Sequence, residues 1–339
     1  RAHSYYPAYL MDGNEEVPLN NSPPIPGHAK LPEDLDPADP ASYTQYKGTD
    51  YAPDRIFEQL LSFVQANKDR SFFAYYPTII PHLALHVPDE DLAPYLEEGW
   101  SETPFTAREK GYGYTPHRTP RAAYAAMITR LDRYVGRLLA LLDELELADN
   151  TIVIFSSDNG TTFLEREVDY EFFESVGPLR GLKASLYEGG VRVPAIVRWP
   201  GHVAAGSHTS FVSGFEDWLP TLVEATGSQR ELPDGVDGVS IMPTLLGHKQ
   251  DPRPFLYREF RGTQTVRAGR WKAVRNHSSK NEPVTELYDL DDDIGEKEDL
   301  ASVNRERVKN LERIMGEQHV PSVHFPLTKE EKSARTRQK

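Results

Sequence analysis

Residues 121–160 read RAAYAAMITRLDRYVGRLLALLDELELADNTIVIFSSDNG, and the architecture follows from the change of pattern inside them. Met127, Leu131, Val135, Leu138, Leu142 and Leu145 recur at spacings of three and four, which predicts a helix over Arg121–Leu147 with one apolar face. Ala148-Asp149-Asn150 breaks it, and Thr151–Phe155 (TIVIF) is apolar and β-branched throughout. A strand of that kind is expected where helices cover both faces of a parallel sheet. Val193–Arg198 (VPAIVR), closed by Trp199-Pro200-Gly201, repeats the signal. Helix followed by buried strand predicts an α/β layered core.

Upstream, Arg55–Asn67 predicts a short amphipathic helix with Ile56, Leu60 and Phe63 or Val64 on one face. Ser71–Pro77 (SFFAYYP) predicts a buried strand opening into a loop at Thr78–His82. Residues 11 to 55 are rich in Pro, Asn, Asp and Gly without a period, and read as extended surface loop. Downstream of Pro252 the character changes. Phe255–Phe260, Thr263–Ala268, Trp271–Arg275 and Thr285–Leu290 are short runs divided by turn residues, predicting an antiparallel meander. Asn304–Met315, with Val308, Leu311 and Met315 on one face, predicts a helix packed on it. The expected division is an α/β domain over 1–250, a small antiparallel-sheet subdomain over 251–325 and a charged, frayed tail over 326–339.

The 339 residues carry 38 Lys+Arg against 52 Asp+Glu, a net charge of −14. That balance argues against nucleic acid as a partner, because phosphate affinity comes mostly from clustered cations. No run approaches the roughly 18 apolar residues that a bilayer span needs. Zero Cys removes disulfides, thiolate metal sites and Cys nucleophiles together.

Three stretches carry chemistry. Ser156-Ser157-Asp158-Asn159-Gly160 follows a strand at once, where ligands of open α/β sheets sit. Asp158 and Asn159 offer hard oxygen ligands suited to Ca²⁺ or Mg²⁺, although an Asx-turn closing the strand explains the same residues. Gly177–Pro200 (GPLRGLKASLYEGGVRVPAIVRWP) places Arg180 and Lys183 on a glycine-bounded loop. They suit a tetrahedral oxyanion, and equally an ordinary solvated loop. His82, in Pro81–Pro88 (PHLALHVP), is placed to protonate a leaving group, or simply to bond backbone. His86 reads only as a backbone-bonded loop histidine.

Taken together these stretches resemble the type I sulfatases (arylsulfatase-like) of the alkaline phosphatase superfamily. The resemblance runs from Ala2-His3-Ser4-Tyr5-Tyr6-Pro7 through Pro81-His82, Ser157-Asp158-Asn159-Gly160 and Leu179-Arg180-Gly181-Leu182-Lys183. It continues with Tyr187-Glu188-Gly189-Gly190-Val191-Arg192-Val193-Pro194, Arg198–Gly201, Asp217 with Pro220-Thr221, and Asp237–Ser240. It ends with Gly269-Arg270-Trp271-Lys272 and Glu286–Leu290.

The resemblance implies an alkaline-phosphatase-like layered sheet with helices on both faces. It makes Asp158 and Asn159 ligands of a divalent cation, usually Ca²⁺, and Lys183 the lysine that binds the sulfate oxygens. His82 becomes the histidine that contacts sulfate and assists the leaving group, with Arg180 a further candidate for substrate contact. The implied activity is sulfate ester hydrolysis on a sulfated carbohydrate or an aryl sulfate, in the periplasm or outside the cell. The aromatic residues Tyr5, Tyr6, Trp100, Tyr112 and Tyr114 are expected to shape a sugar pocket.

The family's nucleophile is a formylglycine made from Cys or Ser in a Cys/Ser-x-Pro/Ala-x-Arg motif. This sequence contains no such motif, nor the family's first acidic pair of metal ligands, nor its Gly-Lys-Trp-His stretch. The expectation is a sulfatase lacking its N-terminal portion and inactive by itself. Two alternatives stand beside it. One is a phosphoester or phosphonate hydrolase of the same superfamily, and the other is a noncatalytic relative that binds sulfated glycans.

Overall fold

The computed structural model describes residues 4–109, 113–162, 167–277, 283–328, 331 and 333. The chain divides into two compact units, one of residues 1–151 and 164–173 and the other of 152–163 and 174–339.

In the first unit a hairpin of β1 (Tyr9–Asp12) and β2 (Glu15–Pro18) precedes a 3₁₀ turn over Pro40–Tyr46. Three helices follow: α1 (Ala52–Ala66), α2 (Asp89–Leu96) and α3 (Pro120–Glu144). The segment read as surface loop is therefore a working part of the core, since Ile25, Leu31, Tyr43 and Tyr46 are all buried. Helix α1 keeps Leu60 and Val64 on its packed face, as expected, but not Ile56. It buries Pro53, Phe57 and Val64 and leaves Ile56 and Phe63 exposed. The face is set by α3: Phe57 stacks on Tyr134 with centroids 4.4 Å apart, and Asp54 pairs with Arg130 at 2.5 Å.

The aromatic run Ser71–Pro77 forms no strand. Phe72 contacts Phe63, and Tyr76 contacts Phe57, while Phe73 and Tyr75 are 73% and 76% exposed. Only one face of the run finds a partner. β-propensity reports how well a side chain fits its neighbours, and here the neighbour is one helix.

In the second unit β3 (Val153–Ser156) pairs with β4 (Ala195–Arg198). The pairing is antiparallel, with Val153 opposite Arg198 and Ser156 opposite Ala195, not parallel as expected. An apolar β-branched run signals a strand with two covered faces; it carries no information on direction. The pair is only half-buried, with Ile196 60% exposed. Between the two strands lies α4 (Glu188–Val191), and α5 (Trp218–Ala225) and α6 (Met242–Leu245) follow.

Asp217 and Thr221 organise that second stretch. Asp217 is 0% exposed. Its carboxylate accepts from the N–H groups of Gly214 and Val239 and from Arg253 at 2.7, 2.9 and 2.8 Å. Thr221 donates to the Asp217 carbonyl and accepts from Ile241 N–H. A buried carboxylate is tolerated only when its lone pairs are filled in this way.

The meander matches its expectation closely. β5 (Leu256–Phe260), β6 (Thr263–Ala268), β7 (Trp271–Asn276) and β8 (Thr285–Asp289) form one sheet in that order, all antiparallel. Helix α7 (Arg305–Gln318) covers it, burying Leu311 and Met315 against Val266, Ala273 and Leu287. Beyond α7 the chain is anchored at described points, while Val320 and Phe325 are 75% and 82% exposed. Leu327 is buried, and Glu331 accepts from Leu327 N–H and meets His319 at 2.7 Å. Among the described residues no helix is long and apolar enough to cross a membrane.

Candidate active site

Strand β3 delivers Ser157-Asp158-Asn159-Gly160 into a tight turn. Ser157 Oγ donates to the Asn159 carbonyl at 3.0 Å, and Gly160 N–H donates to the Gly190 carbonyl at 3.0 Å. Asp158 is exposed and Asn159 half-buried. Asn159 Nδ2 donates to the Gly160 carbonyl at 2.9 Å, so Oδ1 is the amide atom left for a ligand.

The glycine loop closes on itself and on this turn. Gly189 N–H donates to the Arg180 carbonyl at 2.7 Å, Gly190 N–H to Tyr187 at 2.9 Å, and Lys183 N–H to the Thr161 carbonyl at 2.7 Å. The glycine pair of EGG is required by space: a Cβ at Gly189 would lie 2.2 Å from the Gly181 oxygen, and one at Gly190 2.3 Å from that of Ser185. Two backbone hydrogen bonds, Gly160–Gly190 and Lys183–Thr161, therefore bind the Asp158–Asn159 turn to the loop that carries Lys183. Asp158, Asn159 and Lys183 thus lie on two loops joined through their backbones at a strand end.

Arg180 is held by the scaffold. Its Nη1 donates to the Tyr288 hydroxyl at 2.7 Å and to the Glu296 carbonyl at 2.9 Å, and its guanidinium lies 3.8 Å from the centroid of Tyr187. Both phenols, Tyr187 and Tyr288, donate to Glu286 Oε2.

Beneath the loop lies a charged cluster that no motif announced. Lys272 Nζ sits 2.8 Å from Glu188 Oε1 and 2.9 Å from Glu296 Oε1, the second contact lacking hydrogen-bond alignment. All three side chains are buried. Burial raises the Glu296 carboxyl above the usual carboxylate range, opposed by Lys272 and the Glu188 N–H. Glu188 and Lys272 lie in the stretches quoted for the resemblance. Glu296 lies in the acidic run DDDIGEKED (291–299), which composition alone assigns to a solvated loop.

His82 belongs to the first unit. Its amide donates to the Ile79 carbonyl at 2.6 Å, and Nδ1 lies 2.6 Å from the Leu83 carbonyl. A carbonyl only accepts, so Nδ1 carries a proton. Tyr5 donates to the His82 carbonyl, and Tyr114 meets the ring edge-on at 5.6 Å. Tyr5, Tyr6 and Tyr114 are thus buried, packing residues instead of the pocket rim expected of them. Trp100 packs on Tyr95, Phe172 and Phe173, and Tyr112 lies outside the described residues. His86 is buried between Tyr5 and Tyr6. Its Nε2 has no partner, and burial pushes its pKa down to about 3.

For a divalent cation the donor chemistry of Asp158 and Asn159 fits, since both present hard oxygens. Two donors do not complete a shell of six to eight, and among the described residues no group of three His, Cys, Asp or Glu is poised to hold a metal.

The sequence matches the Sulfatase family over residues 9–228, and the C-terminal region of N-sulphoglucosamine sulphohydrolase over 182–320. It is 28% identical over 289 residues to an N-acetylgalactosamine-6-O-sulfatase of Bacteroides thetaiotaomicron, covering 80% of this chain and 51% of that one. A solved structure from the metabolism of multiple glycosaminoglycans by the same organism superposes with a TM-score of 0.65 at 25% identity. It covers 78% of this chain and 54% of the other. A second, solved in complex with a neocarrahexaose, gives 0.62 at 26% identity, covering 86% and 64%. The chain spans about a quarter to a half of the length of the curated relatives it matches. The shared α/β, alkaline-phosphatase-like fold and the family match over most of its residues make this chain a member of the type I sulfatase family.

Proposed function

We propose that this chain supplies the anion-binding part of a sulfuric ester hydrolase acting on a sulfated carbohydrate. The observation that carries the reading is the pair of backbone hydrogen bonds joining the Asp158–Asn159 turn to the Lys183 loop. They tether the loop of the candidate ammonium to the turn of the candidate oxygen ligands, which supports binding of a tetrahedral oxyanion beside a cation. The sugar assignment is supported by the relative named an N-acetylgalactosamine-6-O-sulfatase and by the neighbour solved with a neocarrahexaose.

In this reading Lys183 neutralises the equatorial sulfate oxygens, where negative charge gathers as the ester breaks. His82 remains the candidate for the leaving-group proton, and its Nδ1–H bond to the Leu83 carbonyl fixes the orientation of the ring. Asp158 and Asn159 would hold Ca²⁺, with Mg²⁺ the alternative, and when bound it supplies a second fixed positive charge at the sulfate. Arg180 acts through the scaffold. No attacking nucleophile is assigned to this chain, which has no Cys; in this reading formylglycine is contributed from outside these residues, and the 339 residues bind sulfate without turning an ester over.

The test is the full gene product assayed with nitrophenyl sulfate and nitrophenyl phosphate, followed by the sulfated sugar. Faster turnover of the sulfate, with a loss of about 10²-fold or more in Lys183→Ala, supports the reading. Preference for the phosphate favours the phosphoester hydrolase, and an unaffected Lys183→Ala removes the assigned role.

A further inference from the structure

We propose that Glu296 is a positioning residue for the Lys183 loop, gripping both of its ends from the buried side. The inference rests on the proposed role of Lys183 for its functional meaning, and on geometry for its mechanism. Glu296 is 0% exposed and takes a left-handed backbone conformation, φ +52°, which a glutamate adopts only where surrounding contacts hold it. From that position it makes three contacts. Its Oε2 accepts the Glu188 N–H at 2.6 Å. Its carbonyl accepts Arg180 Nη1 at 2.9 Å. Its Oε1 lies 2.9 Å from Lys272 Nζ, which also binds Glu188 Oε1.

Arg180 and Glu188 bracket the loop, and Gly189 N–H to the Arg180 carbonyl closes its neck. One residue of the C-terminal segment thus fixes both ends of a loop whose only cation between them is Lys183. Two carboxylates, Glu188 and Glu296, face Lys272, with Arg267 3.6 Å and Arg192 3.8 Å from Glu188 Oε2. A buried cluster of this kind stays ionised only while every partner is in place. Removing the Glu296 charge therefore releases the loop from below, while β6 and β7 keep their ladder.

Two readouts on the 339-residue chain separate the mechanism from the role. Amide hydrogen exchange of Glu296→Gln, and of Glu296→Ala where it folds, is expected to accelerate about tenfold or more at Gly189 and Gly190. Val266, Ala273 and Leu287 in the meander stay protected. Unchanged loop exchange overturns the proposal, and so does equal acceleration in the meander, since the residue would then serve general stability. The second readout is titration with inorganic sulfate. Glu296→Gln is expected to weaken binding about tenfold or more, and the double variant with Lys183→Ala to bind no more weakly than Lys183→Ala alone. Full additivity overturns the positioning of Lys183. If loop exchange rises while wild-type sulfate binding ignores Lys183→Ala, the assignment of Lys183 fails and the grip of Glu296 on the loop stands.

Discussion

A Cβ placed on Gly160 would lie 1.9 Å from the carbonyl oxygen of Gly189, so the Asp158–Asn159 turn and the Lys183 loop meet with no room for a methyl group. The obstacle is backbone, which cannot swing aside as a side chain can. Gly160→Ala must separate the turn from the loop and strain the Gly160–Gly190 hydrogen bond. Overpacking of this kind costs about 1–3 kcal/mol. Urea denaturation of the chain should show that loss, and sulfate affinity should fall by more than stability alone explains. Unchanged stability and affinity would mean that the two loops do not bear on each other.

A second prediction concerns the cation. With two protein oxygens offered by Asp158 and Asn159, binding to the chain is expected to be weak, with a dissociation constant on the order of 1 mM. At tenfold excess the linkage relation gives about 1.4 kcal/mol of stabilisation. Thermal melts with about 10 mM CaCl₂ should therefore rise by a few degrees, and chelation should reverse the rise. Asp158→Ala should abolish it. A rise that survives Asp158→Ala places the cation elsewhere.

These features were unequally legible in the sequence. The meander could be read almost to the residue, because Gly262 and Gly269 interrupt runs whose alternation is local. Helix α3 was equally plain. Ser71–Pro77 has the composition of a buried strand yet lies half in solvent, because burial depends on what packs against it and composition does not record that. The same holds for the direction of β4 against β3. At the candidate site, Asp158, Asn159 and Lys183 stand out in the sequence, since a strand end and a glycine loop are local signals. Glu296 could not: its partners Glu188 and Arg180 are 108 and 116 residues away, and its own neighbours are acidic surface residues.

Acid should destabilise the first unit through His86. Burial holds its folded pKa at about 3 against an unfolded value near 6.5. The unfolded chain therefore binds the proton first. The histidine's contribution is complete above about pH 6.5 and is lost as pH falls through that value toward 3. The full shift corresponds to about 5 kcal/mol, at a slope of about 1.4 kcal/mol per pH unit. The ring faces Tyr5 and Tyr6, and His117 adds a repulsive charge; no carboxylate is among the causes acting on it. His86→Phe should flatten the stability curve between pH 6 and 4, measured by denaturant titration. An unchanged slope would show that the ring reaches water.

The first unit also rests on an ion pair whose two halves should behave unequally. Asp91, with a side chain only 1% exposed, meets both Arg130 and Arg133. Arg130, 9% exposed, has a second carboxylate in Asp54 at 2.5 Å and bonds the Tyr134 hydroxyl at 3.0 Å. Removing Asp91 leaves Arg130 with Asp54, so part of its charge stays compensated, and Asp91→Asn should cost about 2–3 kcal/mol. Removing Arg130 strips Asp91 of its buried partner and Asp54 of its bidentate one. Arg130→Met should therefore cost more, about 3–5 kcal/mol. The double replacement Arg130→Met with Asp91→Leu leaves no buried charge orphaned between α2 and α3, and is expected to recover much of the loss. Denaturation of the three variants tests this ordering. A double variant as unstable as the sum of the singles would mean that the pair's contribution is packing geometry and not charge compensation.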